Sequence, residues 1–118
     1  MKQEDKDLLL KDLCSRLPYG VKVEYENKVF DLEYVCPMYE EVKLDIPETW
    51  TLNVEEVKPY LFPLSSMTEE QKTSHNFLKY SAHANPVKLV DFYNKHHLDY
   101  RGLIPTGSAN DATGKNIY

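Results

Sequence analysis

The run His96-His97-Leu98-Asp99 places two imidazoles and a carboxylate within four residues, the side-chain types that ligate zinc or iron. Two residues on, Arg101 adds a planar guanidinium suited to bidentate contact with a carboxylate or phosphate. Together His96, His97, Asp99 and Arg101 define one candidate centre, that of a small hydrolase or metal-assisted enzyme. The spacing argues against it. Neighbouring helical residues point about 100° apart, so two adjacent histidines do not converge on one ion. The spacings that do converge are three and four, and neither His-x-x-x-His nor Glu-x-x-His occurs in this run. Histidines at the end of a helix have a structural use instead, near its unpaired carbonyls. Asp99-Tyr100-Arg101-Gly102 reads as a turn in which Asp99 accepts from local amides and Gly102 takes positive φ.

Other catalytic constellations are missing from the residue pattern. No serine lies in a Gly-x-Ser-x-Gly elbow, and four glycines form no phosphate-cradling loop. Glu40-Glu41 and Glu55-Glu56 are adjacent acids without a buried setting to tune a pKa. Cys14 and Cys36 are too few for a structural zinc site and read as small hydrophobes on apolar faces. No cofactor and no metal is expected.

The elements that must position these groups follow from periodicity. Glu4 to Leu17 reads as an amphipathic helix, with Leu9, Leu13, Leu17, Leu10 and Cys14 on one arc. Pro18 and Gly20 end it. Val21, Val23 and Tyr25 alternate with charged residues, as do Phe30, Leu32, Tyr34 and Cys36, which predicts a hairpin. A two-residue turn at Asn27-Lys28 would set Tyr25 against Phe30 and Val23 against Leu32, with a longer loop as the alternative. Val42, Leu44 and Ile46 predict a third strand. Trp50 and Leu52 extend the sheet or plug its end, and Asn53 to Glu56 has capping-box spacing.

The stretch KPYLFPLSS, residues 58–66, reads as an apolar connector because Pro59 and Pro63 each remove a donor. Thr68 and Gln71 form a capping box opening a helix to about Ala84. Asn85-Pro86 opens another, with Val87, Leu89, Val90, Phe92 and Tyr93 on its apolar arc. Residues 106–116 lack hydrophobic periodicity and read as a loop or mobile tail, with Leu103, Ile104, Ile117 and Tyr118 as its anchors.

The fold class is α+β: a small antiparallel sheet of three or more strands, an N-terminal helix and two C-terminal helices, in one domain over 1–118. At 118 residues, 42% hydrophobic and 28% charged, the chain has ordinary globular composition. No apolar run approaches the ~20 residues of a membrane span, and the charged start lacks a signal sequence, which places the protein in the cytoplasm. Net charge is −5. Through Met67 there are 8 Lys/Arg against 14 Asp/Glu, and beyond it 6 against 5, so no basic stripe supports nucleic-acid binding.

Two segments, KPYLFPLSSMTEEQ (58–71) and DFYNKHHLDYRGLIPTG (91–107), resemble a family of small phage- or mobile-element-associated proteins common in gut anaerobes. Arg is frequent in that family where this chain has Phe62, and Gly-Leu-Ala where it has Gly107-Ser108-Ala109. The resemblance implies a phage or prophage accessory origin and brings no activity, cofactor or catalytic residue. The leading expectation is therefore a non-enzymatic interaction or accessory protein. It would engage a protein partner or a second copy, with Tyr60, Phe62, His96, His97, Asp99, Tyr100 and Arg101 as the candidate contact surface.

Overall fold

A computed structural model describes residues 1–46 and 51–118. The helix α1 spans Gln3–Arg16 and runs into a 3-10 turn at Leu17–Tyr19, where Gly20 at φ 71° stops it. Strands β1 (Lys22–Tyr25), β2 (Lys28–Cys36), β3 (Glu41–Leu44), β4 (Leu52–Asn53) and β5 (Lys58–Leu61) follow. Then come α2 (Glu69–Tyr80), α3 (Pro86–Lys95) and a two-residue strand β6 (Asn110–Asp111). The fold is α+β. Among the described residues the sheet has six strands, in the order β4-β3-β2-β1-β5-β6, and is mixed, because β6 runs parallel to β5. The expected purely antiparallel sheet is corrected on that point. Parallel pairing needs a long crossover, and α2 and α3 lie within it.

One apolar core unites α1 with the sheet and its connections. Leu9, Leu10 and Leu13 of α1 join Val21, Val23, Leu32, Val42 and Leu44 of the sheet, together with Val54, Val57, Leu61 and Leu103. Each fully buried leucine contributes about 1.5–3 kcal/mol relative to exposure. The buried arc of α1 is rotated from the expected one. Asp12 and Arg16 are fully buried, whereas Cys14 is exposed and Cys36 half-buried. Cys14 is therefore not one of the core hydrophobes.

The hairpin forms, with a different turn. Glu26 and Asn27 occupy its two central positions at φ 48° and 65°, and Tyr25 pairs with Lys28 and Val23 with Phe30. This moves the register by two residues, keeps the side chains as far as Leu32 on their expected face and replaces an unfavourable Glu24–Asp31 juxtaposition by a Lys22–Asp31 ion pair at 2.7 Å. Beyond Leu32 a bulge reverses the faces: Val35 packs on the core, and Tyr34, expected inside, is 48% exposed. Leu52 extends the sheet beside Val42, while Trp50 lies outside the described residues. The Asn53 capping box is present and opens the single turn Val54–Glu56.

The connector at 58–66 is more regular than its prolines suggest. Lys58 and Pro59 pair with β1, and Tyr60 and Leu61 pair with β6. The two ladders do not share a residue, so Pro59 faces a partner on one side only. The Thr68 capping box opens α2, which ends at Tyr80 rather than Ala84. There the Ser81 hydroxyl bonds the Phe77 carbonyl and accepts from His83 N–H, a local alternative to the helical ladder. Asn85 caps α3 as its sequence implies. Residues 106–116, expected to be loop or tail, contain β6 and bury Ser108, Ala109 and Ala112. Small residues fit against a sheet edge without any apolar periodicity.

Candidate functional site

The chain leaves α3 through a left-handed turn at His97. His96 N–H donates to the Phe92 carbonyl, His97 N–H to Asn94 and Leu98 N–H to Tyr93, at 3.1, 3.2 and 2.9 Å. This is the Schellman arrangement, with His97 at φ 56° where glycine is usual. Immediately afterwards the chain crosses the connector. Phe62 N–H donates to the His97 carbonyl and Asp99 N–H to the Phe62 carbonyl, each at 2.8 Å. Two segments far apart in sequence are thereby clamped together.

Beneath this crossing lies a charged cluster. The fully buried Asp12 carboxylate binds Arg16 Nε at 2.8 Å and Arg101 Nη1 at 2.8 Å. Arg16 also donates to the Leu98 carbonyl at 2.6 Å, and Arg101 to the Ser15 hydroxyl at 3.3 Å. The Tyr100 ring lies near both guanidiniums, 4.5 Å from Arg101 and 5.4 Å from Arg16. Its other neighbour is Tyr93, stacked at 4.9 Å, whose hydroxyl meets His75 Nε2 at 2.8 Å. Asp12 thus neutralises one of two arginines, and the cation–π contacts spread the remaining charge.

The candidates singled out by residue type are committed to different neighbours. Asp99, 7% exposed, accepts from the Leu103 and Ile104 amides at 2.8 and 2.9 Å, and Gly102 has φ 74°. This is the expected turn. Arg101 is spent on Asp12. His97 stacks on Tyr118 at 3.8 Å, and its Nδ1 is buried with no partner among the described residues. Burial first, then the Arg16 charge, pushes its pKa down to about 4. His96 faces another way. It lines a groove of about 200 Å³ with Phe62, Ser66, Thr68, Gln71 and Leu98, its Nδ1 3.4 Å from Gln71 Nε2. Burial, and secondarily the Lys95 charge, lowers its pKa too. Both imidazoles are therefore neutral at pH 7, which weakens the expected attraction to the helix carbonyls.

The groove hydroxyls have structural partners. Ser66 donates to the Pro63 carbonyl at 2.7 Å, and Thr68 accepts from Gln71 N–H at 3.1 Å. Neither hydrogen-bonds His96, the geometry a base-activated nucleophile requires. Among the described residues no three His, Cys, Asp or Glu side chains gather where they could hold a metal ion. Of the expected contact surface, Tyr60 and Asp99 are interior residues at 7% exposure each. Phe62, His96, His97, Tyr100 and Arg101 are half-buried.

No protein-family model, curated protein or solved structure matches this chain. Of the residues that organise the site, Asp12 and Arg16 escape a reading of the sequence, although their four-residue spacing on one helix is a signal. Tyr118 is legible as an anchor of the last segment, and its seat on His97 has no local signal.

Proposed function

We propose that this chain is a non-enzymatic interaction or accessory protein of phage or mobile-element origin, acting in the cytoplasm. The observation that carries the reading is the α2–α3 hairpin. No residue of α2 is buried, and Phe77, Tyr80, Val87 and Val90 stand 52, 69, 72 and 39% exposed. Single exposed apolar side chains are ordinary, but four large ones on one helical hairpin favour a contact surface. Exposed aromatic residues supply interface area at little entropic cost. The absence of a hydroxyl–imidazole pair at the His96 groove and the internal commitments of Asp99 and Arg101 support the non-enzymatic side. No described helix is long and apolar enough to cross a membrane.

Size-exclusion chromatography and affinity capture from host lysate test the proposal. A retained partner or a second copy is expected, and the double variant Phe77→Ser, Tyr80→Ser should lose it. Because both side chains are exposed, that variant should change stability by no more than about 0.5 kcal/mol per site. A strictly monomeric protein that retains nothing overturns the reading.

A further inference from the structure

Tyr118 is held by its side chain rather than by its backbone. From Thr113 onward, the segment's main-chain to main-chain bonding among the described residues amounts to Lys115 N–H on the Ala112 carbonyl at 3.2 Å. Gly114, Lys115 and Asn116 are exposed. The phenol, by contrast, is met on every functional feature. Its ring lies flat on His97, with centroids 3.8 Å apart and planes 11° from parallel. Phe62 tilts against it at 5.9 Å. Its hydroxyl accepts from Lys22 N–H at 3.0 Å and donates to the Tyr60 carbonyl at 2.7 Å.

Those two main-chain groups belong to neighbouring strands. β1 and β5 pair at Val23–Pro59 and Glu24–Lys58. One residue further along, the hydroxyl bridges Lys22 and Tyr60 and continues the seam. The site therefore reads one atom as donor and acceptor at once, at the end of a flat ring. A phenol meets both demands. A carboxylate offers no donor, an ammonium no acceptor, and a plain aromatic ring neither.

We propose that the slot formed by His97, Phe62, Lys22 N–H and the Tyr60 carbonyl is a recognition site for the tyrosine side chain of a peptide. Tyr118 occupies it as a tethered ligand. A short tether confers an effective concentration on the order of millimolar, so an incoming tyrosine competes with the chain's own. This site shares no residue with the α2–α3 face, and either can fail without the other.

The test uses the full chain carrying Tyr118→Ala, with p-cresol, toluene and a peptide of residues 113–118 as probes, followed by calorimetry and by the Lys22 amide resonance. The variant should bind p-cresol and the peptide, and wild type should bind them roughly tenfold more weakly. Toluene, which has the shape without the hydroxyl, should bind the variant roughly tenfold more weakly than p-cresol. Equal binding of toluene and p-cresol, or no binding of p-cresol and peptide by the variant, overturns the proposal. If Tyr118→Ala does not fold, Tyr118→Phe decides. Its Lys22 amide should exchange roughly tenfold faster than in wild type, and unchanged exchange overturns the hydroxyl readout.

Discussion

At the scale of single residues, the feature with the largest energetic consequence is the Asp12 carboxylate between Arg16 and Arg101. Removing one charge from a buried group leaves its partners uncompensated, which costs more than the pair ever contributed. Asp12→Asn is expected to destabilise the fold by about 3–5 kcal/mol, read from urea midpoints. A change below 1 kcal/mol (about one net hydrogen bond) would mean the arginines find other partners. His97 makes a second prediction. Its pKa is lowered to about 4 in the folded state by burial and by Arg16, against about 6.5 unfolded. The unfolded chain binds the proton first, so stability is complete above pH 6.5, falls as pH drops, and levels off below the folded pKa. The contribution is up to about 3 kcal/mol. His97→Asn tolerates the left-handed turn and lacks the titration. Its thermal midpoint should fall less than that of wild type between pH 7 and pH 4; parallel curves would remove His97 as the source.

At the scale of elements, each local signal worked where the residues that set it are adjacent in sequence. Thr68–Gln71 and Asn53–Glu56 make both halves of their capping boxes, and Asn85-Pro86 starts α3. The hairpin turn moved by one residue because Glu26 and Asn27, rather than Asn27 and Lys28, take positive φ. The observed register removes the Glu24–Asp31 juxtaposition and keeps Lys22 opposite an acid, now Asp31. A glutamate in the left-handed region is strained, and Asn followed by Gly suits both positions of such a turn. The double variant Glu26→Asn, Asn27→Gly should therefore stabilise the protein by about 1 kcal/mol, measured by chemical denaturation. A loss of stability would indicate that Glu26 contributes a contact beyond the turn. The connector at 58–66 misled for a related reason. Proline forbids two-sided pairing, and β5 is paired on one side at a time.

At the scale of the whole molecule, the last segment closes the structure. Ala112 N–H reaches the Leu61 carbonyl at 2.8 Å, Ser108 N–H reaches Leu103 at 2.9 Å, and Asn110 reaches Glu24 at 3.2 Å. A chain ending at Pro105 loses these bonds, three buried small residues and the Tyr118 bridge. At about 1 kcal/mol for each hydrogen bond, the first three bonds alone amount to roughly 3 kcal/mol, before burial or the Tyr118 bridge is counted. Against a typical stability of about 5–15 kcal/mol this should lower the urea midpoint strongly, as followed by circular dichroism. An unchanged midpoint would make the segment a dispensable tail.

The sequence by itself determined the helices, the hairpin faces as far as Leu32, the third strand and the Asp99 turn, because each depends on periodicity or on side chains a few residues apart. Only the tertiary structure decided that β6 pairs parallel with β5, that Asp12 and Arg16 turn inward, and that Tyr118 lies on His97. The contacts that hold them in place join positions up to 96 residues apart, as Tyr118 does with Lys22. The burial of an ion pair, a short edge strand and an aromatic stack owe their existence to what lies across the fold; the four-residue spacing of Asp12 and Arg16 marks a pair and not its burial.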